Sequence, residues 1–395
     1  MNDLSKTPHA HASSAVPIAS GTLAAFVGFG STFAVVLAGF AALGASPREA
    51  ASGLFAITLI MGLLGIGLSL RWKIPITIAW TTPGSALFVA TGAVAGGYQA
   101  AIGAYLIAAV LIICAGLWRP FGRAVGMIPL PLASAMLAGV LVELCLAPVR
   151  AAAEIPGSVL PVVAAWAIAL IFVRRYAIVI AVVVAIAIAG ATTAIPASVW
   201  AAAWPDPVLI APVFTLHAAI GLGLPLFIVT MASQNLPGLA VIAANGYRAP
   251  VGEIFVVTGI GSVATAFLGG HSLNLAAITA ALCAGPEAHP DPARRWIASV
   301  ACGAAYLFVA LIAGFAAALF VASPPLLIEA VAGLALLGTL GTALSTALAR
   351  EDDRLPAVLT FVTTASGVSI LGIGAAFWGL LAGGALMFLL RFQRR

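Results

Sequence analysis

Charge is scarce in this sequence. Only 7% of its 395 residues are Asp, Glu, Lys or Arg, against about 25% in an average soluble domain. That excludes an ordinary soluble globule, which would have to leave large apolar patches in water. Cysteine is scarce too: Cys114, Cys145, Cys283 and Cys302 each lie in or beside an apolar run, and no two have metal-ligand spacing. They make neither a disulfide framework nor a metal site and read as small packing residues. No P-loop is present, so direct ATP drive is unsupported. No nucleophile–base pair or metal-ligand cluster points to an enzyme, and no cofactor is implied. The formal net charge of +5 comes from scattered basic residues, not the clustered patch that binds nucleic acid. The polar start, with Lys6, His9 and His11, has no small-residue cleavage site after a short apolar core. It reads as a cytoplasmic tail rather than a signal peptide.

What the chain has is apolar residues, 63% of the total. Runs bounded by charges, Pro and Gly suggest spans at 20–44, 50–70, 83–96, 98–117, 125–147, 157–173, 176–195, 213–236, 250–268, 274–285, 296–321, 325–348, 355–371 and 373–390. This predicts an all-α polytopic membrane protein of about fourteen segments. The basic residues test the count. With both termini in the cytoplasm of a bacterial-type inner membrane, 15 of the 17 fall on inner segments, and only Arg48 and Arg150 fall outside, as the positive-inside rule requires. The alternation supports an even number of spans more firmly than it supports fourteen.

Segments 83–96 and 274–285 are too short to cross a hydrocarbon core of about 30 Å at about 1.5 Å per residue. The first follows a β-prone stretch, Ile74 to Thr82, and opens on Pro83-Gly84-Ser85, with Thr81 or Thr82 placed to cap a short helix. The second follows Gly269-Gly270-His271-Ser272-Leu273-Asn274, where Ser272 or Asn274 could cap. Extended backbone at membrane depth must be buried in protein or line a cavity. The two strand–half-helix breaks fall in spans 3 and 10, seven apart, so two seven-span halves would run in opposite directions. An inverted-repeat transporter predicts this, with substrate at midplane between half-helix N-termini. Re-entrant packing turns are the plainer alternative. Helix N-termini attract anions without Lys or Arg, and no basic residue other than histidine lies deep in a span. The expected ligand is a small anion or a polar neutral molecule.

Span 8 holds Ser233, Gln234 and Asn235 in succession, with Pro237 freeing the carbonyl of residue 233. These bond either substrate or a neighbouring helix. His271, the one histidine placed near midplane, suits proton exchange or bonds a backbone carbonyl. Glu143 in span 5 and Glu329 in span 12, again seven apart, either relay protons or snorkel to the outer surface.

At these residues the chain resembles a known family. TMASQNLPG at 230–238, GY at 246–247 and GGHSLNLAAITAALCAGPEAHPDPARRW at 269–296 look like signature stretches of the benzoate/proton symporter family (BenE), and ITIAWTTPGSAL at 76–87 fits as well. That family is related to the nucleobase transporter fold. The resemblance implies a tail at 1–19 and inverted repeats at 20–195 and 213–392. It implies a core domain of 20–117 plus 213–321 and a gate domain of 125–195 plus 325–392. It further implies proton-coupled uptake of a small aromatic carboxylate by alternating access. Binding groups would come from Thr82, Pro83, Gly84, Ser85, Ser233, Gln234, Asn235, His271, Ser272 and Asn274, with Trp80 or Phe88 as an aromatic wall. His271, Glu143 and Glu329 are the proton-coupling candidates. Nucleobase transporters of that fold bind substrate through acidic residues in spans 8 and 10. Ser233 and His271 stand there here, which removes two negative charges and suits a carboxylate. A permease for another aromatic acid or a nucleobase, or an anion channel, is the alternative. The fold is compatible with a homodimer.

Overall fold

The computed structural model describes residues 15–118, 120, 122, 129–193, 199, 204–371 and 373–393. The expected tail before Ala15, with Lys6, lies outside the described residues, as do Arg119, Arg123, Arg394 and Arg395 of the charge count. In chain order the elements are α1 (Ala15–Ala42), α2 (Pro47–Trp72), β1 (Ile78–Trp80), α3 (Thr82–Thr91), α4 (Gly97–Leu117), α5 (Leu130–Glu154), α6 (Pro156–Phe172) and α7 (Ala177–Thr192). They continue with α8 (Leu216–Ala244), α9 (Val251–Ala266), β2 (Leu273–Leu275), α10 (Ile278–Ala284), α11 (Trp296–Leu311), α12 (Ala313–Ala322), α13 (Pro325–Leu348), α14 (Arg354–Ala365) and α15 (Ala375–Gln393).

Eight helices among the described residues are long and apolar enough to cross a membrane: α1, α2, α4, α5, α8, α11 with the turn leading into it, α13 and α15. Helices α6, α7, α9 and α12 are apolar but shorter. The chain is therefore a helical multi-pass membrane protein. In lipid the hydrophobic effect does not press helices together, so close approach of small residues must do it. Gly333 of α13 lies so near the Leu144 carbonyl of α5 that a Cβ there would collide with it and with Pro148. Helix α5 packs along α13 and α14, and α14 on α15, while α1 and α2 pack on α11 and α4 on α9.

The two breaks meet. Strand β1 pairs antiparallel with β2, Ile78 opposite Leu275 and Trp80 opposite Leu273. Extended backbone here needs a partner for every polar group, and neighbouring side chains supply many. Ser69 donates to the Ile76 carbonyl (2.8 Å) and accepts its N–H (3.3 Å). Ser262 accepts from Leu273 N–H (2.8 Å), and Asn235 Oδ1 from Leu275 N–H (2.9 Å). The Tyr98 hydroxyl donates to the Gly269 carbonyl (2.6 Å), and Ser52 to that of Leu268 (2.8 Å). Beyond the ladder, Ala276 N–H reaches the Thr77 carbonyl (2.9 Å), and Thr81 N–H that of Ser272 (3.3 Å). Polar residues scattered along α2, α4, α8 and α9 thus carry the strands.

Several expectations shift. Helix α1 begins at Ala15 rather than residue 20, and the eleventh span is interrupted at Ile312. Of the two threonines placed to cap α3, Thr81 does so, its hydroxyl accepting from Gly84 N–H (3.1 Å). Neither Ser272 nor Asn274 caps α10, because both precede its start: Asn274 lies within β2, and Ala277 holds the cap position without a side-chain bond. Helix α8 carries five-residue π turns at Ala219–Gly223 and Met231–Asn235, just before Pro225 and Pro237. Proline supplies no N–H, and a widened turn accommodates it.

Candidate functional site

A cavity of about 230 Å³ lies where the paired breaks face α13. Gly28, Ser31 and Thr32 of α1, Trp80 of β1, and Thr82 and Pro83 at the start of α3 line it. Gln234 of α8, Ala277 and Thr279 at α10, Tyr306 of α11 and Thr339 of α13 complete its more polar and aromatic faces. No Lys or Arg is among the described lining residues. A cavity of about 150 Å³ is enough to hold benzene, so this space suffices for one small ring.

The three polar residues of α8 diverge, as successive residues of a helix must at about 100° per residue. Ser233 donates back to the Val229 carbonyl, Gln234 faces the cavity, and Asn235 turns into the protein to hold β2. Thr82, Pro83 and Gln234 are thus the expected site residues that line the cavity. Gly84, Ser85, Ser233, Asn235, His271, Ser272 and Asn274 do not.

His271 is fully enclosed. Its Nδ1 faces the Ser272 carbonyl at 3.2 Å, which can only accept, so Nδ1 carries a hydrogen. Its Nε2 lies 3.0 Å from Ser85 Oγ on α3. Phe40, Phe88 and Tyr105 surround the imidazole with ring centroids 5.6, 5.3 and 6.2 Å away. Phe88, one of two expected ring walls, is therefore packed on His271 behind α3. Trp80 is the one that lines the cavity.

Backbone donors also face this region. Of the α3 first turn, Pro83 has no N–H and Gly84 gives its own to Thr81, leaving that of Thr82. At α10 the N–H groups of Ala277, Thr279 and Ala280 have no acceptor among the described residues.

Glu143 and Glu329 stand elsewhere. With Arg150 and Glu154 they line a second, wider cavity of about 620 Å³, where Arg150 pairs with Glu143. Both cavities follow the seam between α1 and α13. Thr32 and Ala335 face the smaller one, Ala38 and Ala332 the wider one.

Gly28, Ser31, Thr32, Thr279, Tyr306 and Thr339 were not singled out from the sequence. A lone Ser, Thr or Tyr in an apolar helix usually bonds its own backbone or a neighbour, and nothing in one sequence says which of them face a cavity. Thr279 alone lay inside a recognisable motif.

Membrane helices, two of them broken around an internal cavity of mixed polar and aromatic lining, make this a membrane transport protein. Residues 11–389 match the family model described as benzoate membrane transport protein, and the chain belongs to that BenE family. It is 38% identical over 368 residues to the inner membrane protein YdcO of Escherichia coli (strain K12), covering 92% of this chain and 93% of that one. It is 33% identical over 342 residues to the benzoate membrane transport protein of Acinetobacter baylyi, covering 86% of each. Among solved structures, the transmembrane domain of the cyanobacterial bicarbonate transporter BicA superposes with a TM-score of 0.60 at 17% identity, covering 93% of this chain and 97% of that one. The murine Solute Carrier 26 family member A9 anion transporter, in its inward-facing state, gives 0.65 at 14% identity, covering 97% of this chain and 69% of that one. These two likenesses concern the fold.

Proposed function

We propose that the protein takes up benzoate, or a similarly small aromatic carboxylate, with a proton across the bacterial inner membrane by alternating access. The observation that carries this is the composition of the smaller cavity. It offers Trp80 and Tyr306 to a ring, and Thr82 and Gln234 to a polar group, with no Lys or Arg among the described lining residues. A carboxylate held by neutral donors must be released again, and weak neutral binding suits turnover. The uncommitted N–H groups of Thr82, Ala277, Thr279 and Ala280 are the donors we assign to it. Membership of the BenE family and the relative named for benzoate support the choice of ring acid.

The same proposal takes α11 and α12 as one span and each strand–half-helix break as another, giving fourteen segments. Inverted halves at 20–195 and 213–392 require the two breaks to run in opposite directions, and the antiparallel β1–β2 pairing supports that. The core, 20–117 plus 213–321, carries both breaks and moves against the gate, 125–195 plus 325–392, along the α1–α13 seam. Both termini face the cytoplasm. Glu143 and Glu329, on the wider cavity, admit the coupled proton from outside. His271 takes part only if Ser85 relays to it.

Uptake of labelled benzoate into proteoliposomes under an imposed pH gradient tests the scheme. Acid outside should accelerate uptake and a protonophore should abolish the acceleration. Uptake indifferent to the gradient removes proton coupling. Competition by nucleobases but not by aromatic acids removes the substrate. A fully coupled His271→Ala removes the histidine.

A further inference from the structure

Trp80 lines the smaller cavity yet its polar atom is not free. The indole Nε1–H donates to Thr32 Oγ1 at 3.0 Å, and the Thr32 hydroxyl donates in turn to the Gly28 carbonyl at 2.8 Å. Both roles of that hydroxyl are thereby used. Phe29, one residue beyond Gly28, sets its ring against the indole at 5.6 Å and 63°. The indole is thus held on one side by a hydrogen bond and on another by an aromatic contact, both from α1. The same stretch admits the second aromatic residue of the cavity. A Cβ at Gly28 would stand 2.6 Å from the Tyr306 hydroxyl, so any side chain there would displace Tyr306.

We infer that Thr32 is a positioning residue that sets substrate specificity: by taking the indole N–H of Trp80 it fixes that ring as an apolar aromatic wall and so selects an aromatic over a saturated ring acid. This rests on the aromatic-carboxylate reading above and adds the residue that enforces it. An aromatic ring gains from edge or offset contact with a fixed indole beyond what area burial gives, and a saturated ring of similar size does not.

The test is Thr32→Val, which keeps the shape and removes both hydrogen bonds. KM for labelled benzoate and the inhibition constant of cyclohexanecarboxylate are measured in proteoliposomes for the wild type, Thr32→Val and Thr32→Ser. The expected result in Thr32→Val is a benzoate KM raised about tenfold with the cyclohexanecarboxylate constant nearly unchanged, so that discrimination collapses. Thr32→Ser should restore it. In a Trp80→Phe background, which lacks the N–H, Thr32→Val should have no further effect. If Thr32→Val does not accumulate in the membrane, Thr32→Cys, a weak acceptor of similar size, must move discrimination the same way. Equal changes for both acids, or unchanged discrimination, overturn the inference while leaving benzoate transport standing. A wild type that takes up no aromatic acid overturns the substrate reading and this inference with it.

Discussion

Gln234 and Asn235 are adjacent amides whose removal should have opposite consequences. Asn235 is fully buried and its Oδ1 is the acceptor for Leu275 N–H at 2.9 Å. Asn235→Ala leaves that N–H unpaired in a dry interior. The Leu275 carbonyl is already engaged by Asn274 Nδ2 at 3.0 Å, so the strand end has no slack with which to rearrange. An orphaned buried donor costs about 1–3 kcal/mol. The lost contact from Asn235 Nδ2 to Met231 Sδ, at 3.2 Å, adds little, because a thioether is a weak acceptor. The expected loss is therefore about 2 kcal/mol, and Asn235→Leu, which refills the volume without the acceptor, should recover only part. Gln234 faces the cavity, and its side chain makes no hydrogen bond to backbone among the described residues. Gln234→Ala should change stability by less than about 0.5 kcal/mol while raising the benzoate KM. Unfolding of detergent-purified protein by denaturant titration, beside uptake kinetics, separates the two. An Asn235→Ala as stable as wild type, or a Gln234→Ala that loses as much, would refute the division of roles.

Arg295 is 7% exposed and donates to the carbonyls of His289 (2.7 Å), Ala284 (3.0 Å) and Pro290 (3.4 Å), tying off the end of α10. Arg295→Met strips those carbonyls of their donor and should cost about 3 kcal/mol or more. Arg295→Lys should recover only part, since an ammonium lacks the planar fork; thermal unfolding in detergent reads both. At the surface, the Arg48 guanidinium 2.7 Å from Asp206 holds that carboxyl below the usual carboxylate range. A depressed folded-state value means the stabilisation is present above about pH 4 and is lost as pH falls through the depressed value. Asp206→Asn should flatten stability in that acid window and leave neutral stability nearly unchanged, because the pair is exposed and such pairs contribute little.

Much of the fold was legible from the sequence, for a simple reason. A bilayer punishes exposed charge and unpaired backbone, so span-forming residues must be apolar and breaks must be marked by Gly, Pro and capping hydroxyls. Pro83 with Thr81, and the Gly269-Gly270 pair, marked the breaks to within a few residues. The candidate site was legible only in part. Thr82, Pro83 and Gln234 line the cavity, whereas Asn235 and His271, equally conspicuous as buried polar residues, serve β2 and α3. Hydropathy reveals that a polar group is buried but not which partner it has.

Read alone, the residues establish a helical membrane protein of many spans, with two interrupted segments and polar residues beside them. Scarcity of charge and the placing of breakers follow from composition and local backbone chemistry, which need no tertiary context. It takes the folded molecule to pair the two breaks as antiparallel strands, to set Gln234 on the cavity and Asn235 against β2, and to bring Thr32 to Trp80. Those depend on rotations of a helix by a fraction of a turn and on contacts between residues 32 and 80, or 235 and 275, whose separation along the chain leaves no periodic trace.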